Sequence, residues 1–152
     1  MHLITDTLVV GNLDDAQDPS PVVGGLLFVA EEHIVCPPAW VDYARIPFKE
    51  FAAPDPLLLA RSVQWLEDRL PNNRVMVCCR AGMGRSVSVV IAYLCCVQEM
   101  AYDGAVTLAK TRRPGATPLP RLQEAIEEVR RLRAEKIGKT SDSLPVPKPR
   151  CA

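Results

Sequence analysis

Cys79-Arg80-Ala81-Gly82-Met83-Gly84-Arg85-Ser86 decides how this chain is read. A cysteine and an arginine stand six positions apart, with two glycines between them and a hydroxyl immediately after. An apolar, β-branched run, Val75-Met76-Val77-Cys78, leads in, and a long apolar segment from Val87 to Val97 leads out. Strand, glycine-bearing loop and helix N-terminus together build an anion site from backbone N–H groups and a helix dipole. A thiol at the mouth of such a site is held as thiolate, because inward N–H groups and a neighbouring guanidinium favour the charged form. A thiolate in an oxyanion cradle is equipped to attack phosphorus.

Each residue type then has a task. Cys79 is the expected nucleophile. Arg85 offers two parallel N–H bonds to a phosphoryl group, which the point charge of a lysine does not match. Arg80, Ala81, Gly82, Met83, Gly84 and Arg85 are the expected phosphate-binding residues. Gly82 and Gly84 are expected to let the backbone curl, in part through positive φ. Ser86 lies within reach of the sulfur and is expected to stabilise the departing thiolate.

The stretch resembles the C-x5-R-[ST] loop of the cysteine-dependent protein tyrosine phosphatases. With Ala81-Gly82 and the following Ala92-Tyr93-Leu94 it is most similar to the small dual-specificity branch. The resemblance covers Leu3 to Leu132 and is strongest over 75–94. It implies a single α/β domain, with a central, mostly parallel sheet flanked by helices and the loop at the carboxyl end of a strand. It also implies hydrolysis of phosphotyrosine, and of phosphoserine or phosphothreonine, on protein or peptide substrates through a phosphocysteine, with no metal and no cofactor. Two positions depart from the family's pattern. The residue before the nucleophile, usually histidine, is Cys78, which also reads as a strand residue facing the core. The general acid, usually an aspartate after an Ile-Pro strand end, falls in Arg45-Ile46-Pro47-Phe48-Lys49-Glu50 on Glu50. Asp55 is the rival acid, but Asp55-Pro56 reads as a helix N-cap followed by proline at the first helical position.

These departures keep other readings open. One is a phosphate-binding module with little turnover. Another is a phosphatase acting on a lipid or sugar phosphate, with Arg80 and Met83 bordering the pocket. A third is a sulfurtransferase, whose loop is one residue shorter. A nucleotide P-loop is excluded, since no Gly-x4-Gly-Lys-[Ser/Thr] occurs.

The 152 residues suffice for one core. The formal net charge is zero, and the first 120 residues carry no basic block, which argues against nucleic acid as a partner. The run Val87–Val97 is too short to span a bilayer, and no signal peptide is read at the N-terminus. Cys78-Cys79 and Cys95-Cys96 are adjacent pairs and no Cys-x2-Cys occurs, so we expect no structural zinc and a reducing, cytoplasmic setting for a monomer.

Along the chain the pattern predicts strands over 2–4, 8–10, 25–30, 41–46 and 74–78. Gly11-Asn12-Leu13 resembles the opening of dual-specificity domains, where a similar segment precedes a short helix. A further helix runs over 55–70, on the 3.6 period of Leu59, Val63, Leu66 and Leu70. Others run from 85 or 86 to 100 and from an Asp103 cap to 112. A last helix capped by Thr117 has Leu122, Ile126, Val129 and Leu132 on its apolar face. Arg113-Pro114-Gly115 echoes a turn of small dual-specificity phosphatases. Residues 1–137 are expected to form the catalytic domain and 138–152, rich in Pro, Ser and Lys, a flexible or extended tail.

Overall fold

The computed structural model describes residues 1–137. The expected tail, 138–152, lies outside the described residues.

Val75–Cys78 (β5) is the middle strand of a five-stranded sheet. It is flanked by Leu8–Gly11 (β2) on one side and Gly25–Ala30 (β3) on the other, both parallel to it. His2–Leu3 (β1) adds antiparallel to β2, and Asp42–Phe48 (β4) adds parallel to β3, giving the order β1-β2-β5-β3-β4. Every residue of β2, β3 and β5 is buried. That is why their sequences are continuous apolar runs: a parallel strand with both faces covered has no polar side to show. β4 passes through Pro47 and ends at Phe48, two residues beyond the expected strand end. As an edge strand it has a side on which a missing N–H costs no ladder bond.

The two faces are covered unequally. A Cβ on Gly11 would point at Met76, Cys78 and Asp15, whereas one on Gly25 would point at Val75 and Trp65. Met76 and Val75 alternate, so the short helix Leu13–Gln17 (α1) and the helix Pro56–Arg69 (α2) lie on opposite faces. On α2's side, Arg85–Cys96 (α3) packs on β2, β3 and β5, and Tyr102–Arg112 (α4) and Leu122–Ile137 (α5) pack on α3. Eleven of the twelve residues of α3 are buried, as its all-round apolar sequence requires.

Helix ends follow from local chemistry. The Asn12 side chain accepts from the N–H of Asp15 while the Asp15 carboxylate accepts from the N–H of Asn12, a capping box that starts α1. The Asp55 carboxylate accepts from the N–H of Leu57 at 2.8 Å, with Pro56 opening α2 as expected. α3 stops at Cys96 rather than Met100. Glu99 takes φ 57°, and the N–H of Met100 turns back to the carbonyl of Leu94. Two expected caps are corrected. α4 begins after Ala101 with no side-chain cap, and Asp103 sits in its first turn, where a carboxylate favours the helix dipole. Thr117 does not cap α5, which starts at Leu122; its N–H is taken by the carbonyl of Met83.

Leu122, Ile126 and Val129 of α5 are each no more than 1% exposed, and Leu132 is half-buried. Replacing Ile126 by Ala is expected to cost about 2–5 kcal/mol of unfolding free energy, read as a lower urea midpoint.

Candidate active site

The loop 79–84 leaves the carboxyl end of β5 and enters α3 at Arg85. Its shape is fixed from outside by its own carbonyls. That of Arg80 accepts from the N–H of Leu13 at 3.0 Å, and that of Met83 from the N–H of Thr117 at 2.8 Å. The guanidinium of Arg113 donates from Nη2 to Ala81 at 3.3 Å and from Nε to Gly82 at 3.1 Å. The carbonyl of Gly84 accepts from both the N–H and the hydroxyl of Ser88. In a trans peptide the N–H points opposite to the carbonyl, so five outward carbonyls turn the N–H groups of residues 81–85 the other way, into the cradle. Gly82 has φ 69°, and a Cβ there would meet the carbonyl oxygen of Gly11 at 2.8 Å, so glycine is needed on both counts. Gly84, expected to share that role, has φ −111°, and a Cβ on it would meet only ordinary contacts from 3.5 Å outward.

Cys79 is buried, and its Sγ lies 3.2 Å from the Oγ of Ser86. Burial alone pushes this thiol up. The Ser86 hydroxyl, the N–H groups of Ser86 and Gly82 and the charge of Arg85 outweigh burial and bring it below an ordinary thiol. Cys78, one residue away, is fully buried, and burial together with the charges of Asp15 and Cys79 pushes it well up. It faces the core beneath Gly11, as its strand reading implied. Burial also raises Cys95 and Cys96.

Arg85 is 2% exposed and is the largest of the fully buried side chains. Its charge is answered by a residue that the sequence reading did not single out. Glu32, just past β3, accepts from Nη1 at 2.5 Å and from Nη2 at 2.6 Å, and the carbonyl of Phe48 accepts from Nη1 at 3.2 Å. The hydrogen bond from Arg85 holds the Glu32 carboxyl at about 2, well below the usual range, and Glu32 in turn raises Arg85. Glu32's carboxylate therefore stays charged as pH falls until about 2, where protonation would remove the counter-charge. A guanidinium has five N–H donors. Glu32 and the Phe48 carbonyl use three, leaving Nε–H and one Nη2–H on the same edge of the plane. That edge fits two oxygens of one tetrahedral anion.

Glu50 lies exposed in the turn after β4, and its charge also raises Arg85, behind the effects of Glu32 and Cys79. Asp55 is occupied as the cap of α2. Arg80 is exposed beside the cradle, while Met83 is half-buried, its sulfur 3.4 Å from where a Cβ on Gly115 would stand.

The geometry has relatives. A family model described as the dual specificity phosphatase catalytic domain matches residues 46–132. The chain belongs to the dual specificity phosphatase family. Within that family it is 25% identical over 133 residues to dual specificity protein phosphatase 22-B of Danio rerio, covering 84% of this chain and 73% of that protein. It is 29% identical over 133 residues to dual specificity protein phosphatase 15 of Rattus norvegicus, covering 84% of this chain and 56% of that protein. The fold matches the crystal structure of human DUSP28 with a TM-score of 0.78 at 20% identity, over 89% of this chain and 99% of that one. The domain is thus a phosphatase of the cysteine-dependent class. No helix among the described residues is long and apolar enough to cross a membrane.

Glu32, Arg113 and the N–H of Thr117 are what sequence reasoning missed. A faint signal for Glu32 existed: an acidic pair, Glu31-Glu32, at the carboxyl end of a buried strand, in a chain whose site arginine would need a counter-charge.

Two outcomes follow. Gly82→Ala is expected to destabilise by about 1–3 kcal/mol and to abolish tight vanadate binding, whereas Gly84→Ala is expected to fold with normal stability. The rate of iodoacetamide alkylation of Cys79 should show its thiolate inflection below that of a free thiol. Ser86→Ala should move that inflection up, because the lost hydroxyl favoured the charged form.

Proposed function

We propose that the domain hydrolyses phosphomonoesters on proteins, phosphotyrosine first and phosphoserine or phosphothreonine second, through a phosphocysteine intermediate. The observation that carries this reading is the lowered Cys79 thiol, 3.2 Å from Ser86, near an arginine that keeps one edge free of partners among the described residues.

In the first step the Cys79 sulfur forms a bond to phosphorus while the bond to the ester oxygen breaks. The free edge of Arg85 and the N–H groups of residues 81–85 hold the equatorial oxygens as charge builds on them. Glu50 gives its proton to the leaving oxygen. In the second step Glu50 takes a proton from water as that water attacks phosphorus. The S–P bond breaks, and the thiolate returns to the hydrogen bond of Ser86. The step calls on no metal or cofactor. Glutamate reaches one methylene further than the family's usual aspartate, and the exposed turn carrying Glu50 supplies freedom to use that reach. A nucleophilic thiolate works in a reducing compartment, so we place the domain in the cytoplasm, acting as a monomer.

The test is hydrolysis of an aryl phosphate across pH without added metal. Wild type is expected to turn over, Cys79→Ser to lose all turnover, and Glu50→Gln to lose about 10²–10⁴-fold together with the fall of kcat/KM on the alkaline side that deprotonation of the acid produces. Asp55→Ala is expected to keep turnover while losing about 0.5–2 kcal/mol of stability, the value of a helix cap. Full turnover in Glu50→Gln would remove the acid role from Glu50. A wild type that binds vanadate but releases no phosphate would make the domain a phosphate-binding module.

A further inference from the structure

Arg45 sits in β4, half-buried, and its guanidinium meets no carboxylate among the described residues. It donates instead to two carbonyls, from Nη2 to Glu31 at 2.7 Å and from Nε to His33 at 3.4 Å. Those carbonyls bracket Glu32, the partner of Arg85. The segment 31–33 is irregular and mostly at the surface. One further backbone bond, from the N–H of Glu31 to the carbonyl of Phe48 at 3.3 Å, ties it to β4. That same Phe48 carbonyl accepts from Arg85.

We infer that Arg45 is a positioning residue for phosphate binding. It clamps the backbone on either side of Glu32, Glu32 fixes the outer edge of Arg85, and the edge left free is thereby aimed into the cradle. The inference rests on the reading of Arg85 as the phosphate-binding arginine.

The physical case is one of entropy. A surface glutamate gives up side-chain and backbone freedom to hold one geometry, and an ion pair with a partly exposed partner returns little when its backbone is loose. Here the pair must be firm, because Arg85 is buried and a buried charge whose partner wanders is costly. Arg45 supplies the firmness through a planar fork spanning two carbonyls, which a lysine ammonium cannot span in the same way. Arg45 and Glu32 then act in series on one property of Arg85. Residues in series are not additive: once the last link is cut, cutting the first does nothing more.

The experiment is a double-mutant cycle read by the inhibition constant of inorganic phosphate, and by its dissociation constant in the Cys79→Ser background. Arg45→Met, which keeps an apolar stem, is expected to weaken phosphate about 5–20-fold, the lower part of the range for coupling between two sites. Arg45→Lys is expected to fall between Met and wild type. Glu32→Gln should weaken phosphate at least as much as Arg45→Met. In the Glu32→Gln background, Arg45→Met should cost less than about twofold more. Losses that multiply in the double variant would overturn the proposal, as would unaltered phosphate affinity in both Arg45 variants. Melting temperatures provide the control, since a general loss of stability would weaken phosphate in both backgrounds alike. A wild type that binds phosphate but turns over nothing would sink the reaction and leave the cycle readable. A wild type that binds no phosphate would sink both.

Discussion

A guanidinium buried to 2% exposure, with one edge left open, is the constraint on which the rest of this domain turns. Arg85 has to be the first residue of a helix, beside Cys79, and charged. Each requirement recruits a different part of the fold. The helix start comes from the loop that leaves β5. The charge is tolerated because β3 and β4 end side by side, delivering Glu32 and the carbonyl of Phe48 to the same guanidinium. Three strands of the parallel sheet thus end on one side chain. The carboxyl ends of parallel strands are where a doubly covered sheet leaves its unpaired groups, and here they gather around the guanidinium of Arg85.

The cradle obeys a complementary logic. Its inner surface is backbone N–H, which no side chain can supply at that density. Its outer surface is therefore backbone carbonyl, and these must find donors or remain unsatisfied. Most of the donors come from far along the chain, Leu13 from the start of α1 and Arg113 and Thr117 from the connection after α4, while Ser88 comes from the next turn of α3. The cradle's electrostatics and its mechanical support are two sides of the same peptide planes. The lowered thiol of Cys79 follows from this, since the N–H groups of Gly82 and Ser86 are already aimed at the sulfur before any substrate arrives.

Much of this was legible in the residues. The apolar runs located β2, β3 and β5 because parallel strands with two covered faces leave no alternation to misread. Asp55-Pro56 marked a helix start because capping chemistry is local. Cys79, Arg85 and Ser86 stood out because their spacing has few other uses. What escaped was of another kind. Glu32 is a surface-looking glutamate whose partner stands 53 positions away, and nothing local reveals such a pair. Thr117 was read as a helix cap because threonine before a helical pattern usually is one, but α5 starts only at Leu122, and Thr117 lies in the connection, where its N–H meets the carbonyl of Met83. Gly84 looked equal to Gly82 in the sequence. A positive φ and the close approach of Gly11 distinguish the glycine that is required from the one that is tolerated.

The support given by Arg113 bears on where this chain can change length. The connection from α4 to α5 runs over the surface, contains Pro114 and Gly115, and resembles the loops in which insertions accumulate. Yet two of the cradle's carbonyls hang on Arg113 and a third on Thr117, so the spacing between these two residues is set by the spacing of Ala81, Gly82 and Met83. A residue added between 113 and 117 would displace one anchor relative to the other. The turn at Pro71-Asn72-Asn73, between α2 and β5, carries no such duty toward the cradle. Of two loops that look equally dispensable, one is a ruler for the active site and the other is slack.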